Sequence, residues 1–547
     1  MNTATETQSV IATQPKRPAL APAFRIPSPD DPPEAPTRVI LPSVRVPRDG
    51  VPISDSAREL FTVIADKQNL FYRGGLVVRL ICENGQAAVE PLSDEAAQSC
   101  FEKYVRFTKR KQNGDMWLEN HVNINKAMAK QYLASDECRQ LLPRLKGVVN
   151  CPVLVERAGA IHQINSGFDP ATGLYVANQG VVEELGLDEA VARLNFLLAE
   201  FDFKTPADKS RALMSFLTPA LKFGGFITGP VPIEVAEANA SQSGKSYRQQ
   251  VVAAVYHEKV GIVTRKSGGV GSMEETFQSQ LVNGKAFIQF DNVRGKLDSQ
   301  LLEAFITANG PFATRVPHHG SLDVDPSKHI IFISSNGFES TKDLANRSCI
   351  VRINKRLNHN YPLVEGKDLV THVFENHTRY LAAVFAVVRH WHDAGKQRTN
   401  DTRHDLREWS QVGDWIVVNV FRGARLMDGH EEAKQRASNS SLAFFRSLAV
   451  KLEAEGRLNV ELTATNIADF CEEADIVIPN LSQANNRDPQ HRRTQVGKLM
   501  KAVLDGAGEC GREWEGFRVV AAQGNVLNAG GQSDTRTHYT VTKVEQA

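Results

Sequence analysis

At 547 residues the chain exceeds what one hydrophobic core fills, so roughly two to four domains are expected. Its 64 basic and 63 acidic residues leave a net charge of +1, and 41% of residues are hydrophobic; this balance excludes a polyanion-binding surface spread over the whole molecule and confines any nucleic-acid contact to a local patch. The cysteines are scattered without a C-x-x-C pair, and no run reaches the roughly 18 apolar residues of a membrane span, so the expected setting is a reducing cytoplasm with no disulfide framework, structural zinc or membrane.

Residues 1–50 hold "PKRPALAPAFRIPSPDDPPEAP" and no apolar periodicity, which predicts a disordered, proline-rich arm. Residues 51–185 read as an α+β accessory domain. "SARELFTVIADKQNLFYRGG" begins as a helix, "LVVRLICENGQAAVEPL" is two strands around Asn84-Gly85, and "SDEAAQSCFEKYVRF" opens on Ser93 and acids as a helix N-terminus does. The basic run "RFTKRKQ" at 106–112 reads as a solvated helix end or a phosphate contact. Residues 186–360 alternate helix and strand, and 361–455 are helical, with "GKDLVTHVFENHTRYLAAVFAVVRHWHDAG" stopping at Gly395. Residues 456–547 combine the helices "TATNIADFCEEA" and "RTQVGKLMKAVLDGAG" with the strands "GFRVVAAQ" and "THYTVTK", the order of a winged helix. Trp409, Trp415 and Trp514 are expected in packing rather than on bases.

Chemistry concentrates in 186–360. "PVPIEVAEANASQSGKS" sets an apolar strand before a loop and a helix after it, the context of a phosphate loop. Backbone N–H groups over Asn239, Ala240, Ser241, Gln242, Ser243, Gly244, Lys245 and Ser246 are expected to wrap a β-phosphate at the helix N-terminus. Lys245 would reach the β/γ-phosphates and Ser246 would hold Mg²⁺. Asn239 stands where the motif has its first glycine, and asparagine is among the few residues that visit positive φ readily. A second strand, "AFIQF", delivers Asp291, 46 residues after Lys245, as a further Mg²⁺ ligand. A third, "KHIIFISSNG", ends at Asn336, a candidate to position the attacking water. Arg347, in "DLANRSCIVRI", is a candidate arginine finger.

These four stretches in this order resemble the Walker A, Walker B, sensor 1 and arginine-finger regions of AAA+ ATPases, nearest to the superfamily 3-like helicases of phage and mobile-element primase-helicase proteins. The resemblance covers about residues 200–395 well. It implies an α/β AAA+ (P-loop) core between an N-terminal α+β accessory domain and a C-terminal helical and winged-helix region. It also implies ATP and Mg²⁺ as cofactors, Asp291, Asn336, Arg347 and Lys245 as catalytic residues, and a homo-oligomer, commonly a hexameric ring, with ATP between subunits. A hairpin between Walker B and sensor 1 grips single-stranded DNA in such proteins; here Arg315, His318, His319 and Lys328 are the corresponding candidates, with Asp323 and Asp325 reducing the local positive charge. Most AAA+ members end Walker B in Asp-Glu, where this chain has Asp291-Asn292, so Glu274 and Glu275 are alternative candidates to polarise water.

The expected activity is ATP hydrolysis driving a DNA helicase or translocase in replication of a phage, plasmid or integrated element, on single-stranded or forked DNA. No clustered acids suggest a primase in the N-terminal half, so any primase is expected to be a separate chain. In the last module Arg492, Arg493 and Lys498 are candidate DNA contacts on the second helix. The alternative is a nucleotide-switched DNA-binding ATPase, such as a helicase loader or origin binder, that hydrolyses slowly.

Overall fold

The computed structural model describes residues 40–544 except 48–49, 84, 114–115, 178–179, 239–241, 265–270, 318–319, 357–358, 480, 482–487, 506, 509 and 528–532. Most of the expected arm over 1–50 lies outside that set. The chain divides into two compact units, the first made of residues up to 71 with 92–143, the second of 72–91 with 144–547.

In the first unit, helices Ile53–Ala65, Asp94–Tyr104 and Lys126–Leu133 meet through aromatic side chains. The Phe101 ring meets those of Phe61 and Tyr132 edge-on at 5.8 and 6.2 Å, and Phe107 stacks on Tyr132 at 5.8 Å. Ser93 and Asn125 cap two of these helices, accepting from the N–H of Ala96 (3.2 Å) and Met128 (2.9 Å) and so satisfying donors that a first turn leaves open. The basic run read as a helix end is instead a strand, Arg106–Asn113. It runs parallel to Ser43–Arg45 and pairs antiparallel with Met116–His121, in register from Thr108↔His121 to Asn113↔Met116. Buried Phe107 and Thr108 anchor the base of this pair, which outweighs the weak strand propensity of lysine.

The second unit is organised by five parallel strands: β1 (Ile233–Ala238), β2 (Gly261–Val263), β3 (Phe287–Val293), β4 (Ile330–Ser335) and β5 (Ser348–Asn354). Across the sheet they lie in the order β5-β1-β4-β3-β2, and Asp202–Phe203 adds an antiparallel edge beside β5. Side chains alternate between two cores. Ile233, Val235, Ile288, Phe290, Ile331, Ile333 and Ile350 serve one, and Phe287, Ile330, Phe332, Cys349, Val351 and Ile353 the other. Such strands, apolar on both faces, are what a parallel sheet covered on both sides requires. From β1 the chain moves out to β2, returns through β3 and β4, and crosses β1 to reach β5. The strand order therefore reverses beside β1, and in such sheets ligands bind outside the carboxyl ends of the strands at the reversal.

One covering helix, α1 (Lys245–Val255), follows β1 and is tied to the sheet by buried polar groups. Gln249 Nε2 donates to Glu234 Oε1 (3.0 Å) and the Ile333 carbonyl (3.1 Å), Gln289 Nε2 donates to Gln249 Oε1 (2.8 Å), and Arg248 pairs with Glu234. Between β3 and β4 a hairpin is built from Phe312–Val316 and Gly320–Val324. Toward the C-terminus, helices Ala464–Glu473 and Pro489–Leu504 share a core with the antiparallel ribbon Phe517–Leu527 and Ser533–Lys543.

Candidate functional site

Every strand candidate for the site ends at the carboxyl edge of the sheet. β1 runs into the loop before α1, β3 carries Asp291 near its end, and Asn336 immediately follows β4. Asn239, Ala240 and Ser241 lie outside the described residues, so the reading of Asn239 as a glycine substitute has no structural counterpart. In the described part of the loop, Gln242 (φ 60°) and Gly244 (φ 84°) occupy the left-handed region. Glycine is required at 244 on two counts. The conformation is strained for any L side chain, and an added Cβ would stand 1.9 Å from the Tyr361 hydroxyl. That hydroxyl donates to the Ser243 carbonyl at 3.2 Å, so Tyr361 braces the loop.

The structure brings five predicted residues together. Lys245 Nζ donates to Asn336 Oδ1 at 2.5 Å and to Ser243 Oγ at 3.2 Å, while Ser246 Oγ donates to Asp291 Oδ1 at 2.6 Å. Ser334, on β4, donates its hydroxyl to the same Asp291 oxygen at 2.8 Å. Burial pulls the Lys245 ammonium down to about 8, against the opposing fields of Glu237 and Asp291. A hydroxyl and a carboxylate in contact form a hard-oxygen pair that fits Mg²⁺, with the remaining ligands left to phosphate and water. Among the described residues no group of three or more His, Cys, Asp or Glu is placed to hold a metal on its own.

Asn292 takes the left-handed conformation (φ 52°) at a register shift in β3, and its N–H donates to Ser334 Oγ at 2.8 Å. Its side chain is exposed. Of the proposed substitutes for the missing acid, Glu275 turns back to accept from the N–H of Gly271 at 2.6 Å, at the start of its own helix, Met273–Val282.

Arg347 is not part of this cluster. It caps the short helix Lys342–Asn346 just before β5, and its carbonyl accepts from the N–H of Ile233, the first residue of β1. It therefore lies at the opposite edge of the sheet, about 20 Å from the loop by the length of a six-residue strand. Its guanidinium donates to the Asp343 carbonyl at 3.1 Å and is partly exposed.

The DNA candidates separate by exposure. Arg315 is exposed on the hairpin strand, and His318 and His319 lie outside the described residues. Lys328 is not on the hairpin: it is buried in the turn Pro326–Lys328 beyond it, where burial pulls its ammonium down to about 8 beside Asp325. Arg492 is likewise buried and paired with Glu472, because its position on the helix faces Ala464–Glu473. Arg493 and Lys498 are exposed on that helix.

Sequence reasoning missed an ionic chain joining the end of β1 to the last module. Glu237, fully buried on β1 two residues before the loop, accepts from the Phe338 N–H (3.1 Å) and pairs with Arg436. Arg436 in turn bonds Glu515 at 3.0 Å, and Glu515 is also held by Arg446 at 2.7 Å and Lys204 at 2.8 Å. Burial pushes both carboxyls up, but the surrounding cations, Arg436 first, outweigh it and hold both below the usual carboxylate range. Glu515 sits at the tight turn Glu515-Gly516 (φ 49° and 83°) before the C-terminal ribbon, a turn signature that gave no hint of its distant partners.

No family model matches the chain, and no curated protein matches it in sequence. Among solved structures the chain is similar to the apo A form of the NrS-1 C-terminal region, at 12% identity over 88% of this chain and 99% of that one, with a TM-score of 0.35. It is similar to an SCCmec type IV Cch active helicase at 12% identity over 86% and 91%, TM-score 0.30, and to JCV helicase at 12% over 50% and 74%, TM-score 0.21.

Proposed function

We propose that this chain is an ATP-hydrolysing motor of the AAA+, superfamily 3-like kind, a DNA helicase or translocase serving replication of a phage, plasmid or integrated element in the cytoplasm. The observation that carries the reading is the convergence of Lys245, Ser246, Asp291 and Asn336 at the carboxyl edge of the sheet, beside the strand-order reversal. With ATP seated, Lys245 exchanges its Asn336 and Ser243 contacts for β/γ-phosphate oxygens. Ser246 and Asp291 would hold Mg²⁺, which would supply positive charge against the phosphates. Asn336, released from Lys245, is then free to orient water at the γ-phosphate. Amides of the loop and of the α1 N-terminus supply further donors for the anion.

Arg347 serves a neighbouring subunit's nucleotide in this reading, since its own site lies a strand length away; this is the basis for a homo-oligomeric ring, hexameric by the family resemblance. Arg315 on the hairpin and Arg493 and Lys498 on the C-terminal helix are the proposed DNA contacts, and a primase, if used, is a separate chain. The direct test is strand displacement on a forked duplex with ATP and Mg²⁺. Unwinding is expected; intact ATP turnover by the assembled protein without unwinding would sink the motor assignment.

A specific observation favours a second reading, a nucleotide-switched loader or origin-binding ATPase. Asn292 occupies the place of the usual water-polarising glutamate, and it is exposed. Turnover that rises severalfold with single-stranded DNA supports the motor, whereas ATP binding with negligible turnover supports the switch.

A further inference from the structure

The ribbon formed by Arg106–Asn113 and Met116–His121 belongs to the first compact unit, and its composition is unusual for a free surface. Beyond the buried base at Phe107 and Thr108, every described residue from Arg110 to His121 is exposed. Met116, Trp117 and Leu118 are 68%, 62% and 44% exposed in succession, so that Trp117 stands bare on one face of the ribbon and Met116 and Leu118 on the other. Trp391 and Trp409, by contrast, are buried.

Register decides what such a surface suits. Gln112 lies opposite Trp117 and Arg110 opposite Glu119, so the indole shares a face with Arg110, one diagonal step away. On the other face Lys111 lies opposite Leu118, next to Asn113 and Met116. Each apolar side chain thus has a cation beside it, and Arg106 adds another exposed charge toward the base. The Arg110–Glu119 ion pair, at 3.5 Å and half exposed, is too weakly held to occupy that charge. An apolar partner covering Trp117 would strip water from Arg110 without replacing it. A strand of nucleotides covers both, stacking flat bases on the indole while its phosphates meet the cations.

We propose that this ribbon is a single-stranded nucleic-acid contact, with Trp117 as the stacking residue and Arg110, on the same face, as a phosphate contact. The assignment does not rest on nucleotide hydrolysis, and its test removes hydrolysis deliberately. The protein carrying Lys245→Ala is titrated with fluorescently labelled oligo(dT) over a range of salt, without ATP, beside the same protein carrying Trp117→Ala, Trp117→Phe or Arg110→Gln. Loss of the indole should weaken binding about tenfold and phenylalanine should restore most of it. The charge variant should lower the salt dependence, log K against log salt, by about 0.7, the contribution of one phosphate contact. Binding by Trp117→Ala and by the charge variant with unchanged affinity and salt slope would overturn the proposal. So would variants that dissociate an oligomer, seen by light scattering, while leaving oligo(dT) affinity intact, which would assign the ribbon to contact between copies of the chain.

Discussion

Replacing Glu515 with glutamine tests whether the C-terminal turn is locked to the parallel-sheet core by charge. The carboxylate accepts from Arg446 (2.7 Å), Lys204 (2.8 Å) and Arg436 (3.0 Å), and the side chains of Glu515 and Arg436 are only 2% and 1% exposed. Charge-assisted hydrogen bonds contribute about 1.5 kcal/mol or more each, and removing one partner of a buried ionic cluster costs about 3 to 5 kcal/mol, so a loss of about 4 kcal/mol is expected. For a cooperative unit of roughly 400 residues, with an unfolding entropy of about 0.8 kcal/mol/K, this lowers Tm by about 5 °C. The folded-state pKa of Glu515 is depressed, so its contribution is complete above the ordinary value of 4.5 and declines as pH falls below it. Scanning calorimetry of wild type and Glu515→Gln at neutral and acid pH reads both effects. The gap between the two proteins should narrow in acid, and Arg446→Gln should cost less in the Glu515→Gln background than alone. Equal Tm values at neutral pH, or additive losses in the double variant, would refute the reasoning.

Nucleotide affinity of the apo protein should fall as pH rises through about 8, because Lys245 begins to lose its proton there; by pH 9 the loss should approach about tenfold, read by titration with a fluorescent ATP analogue. Gly244→Ala should weaken nucleotide binding and lower stability by about 1 to 2 kcal/mol from the left-handed conformation alone, with part of the binding recovered when Tyr361→Phe removes the nearest clashing atom. Arg347→Ala and Lys245→Ala proteins should each lack turnover, yet regain part of it when mixed, since a mixed ring contains interfaces with an intact loop facing an intact arginine. Absence of recovery in rings shown to exchange subunits would place Arg347 outside catalysis.

The candidate-site cluster was legible because its chemistry is local. Lys245 and Ser246 are adjacent at the start of α1, and Asp291 and Asn336 follow apolar runs that declare buried strands and end at the same edge of the sheet. What escaped depended on distance in sequence. Nothing near Glu515 signals that it meets Arg436, Arg446 and Lys204, and nothing near Tyr361 signals that its hydroxyl reaches Ser243. The basic run at 106–112 misled because consecutive cations suit a solvated helix as well as a ribbon exposed on both faces, and only pairing with Met116–His121 decides between them. Lys328 and Arg492 show the same limit: charge in the sequence does not reveal which side of a turn or helix carries it.

ATP turnover and nucleotide binding measured side by side in wild type, Lys245→Ala and Asp291→Asn test the central claim most directly. The account predicts that Lys245→Ala loses binding. Asp291→Asn should keep measurable binding but lose turnover by about 100-fold or more, because a neutral amide beside Ser246 no longer completes an anionic metal site. Undiminished turnover in Lys245→Ala would contradict the account at its foundation.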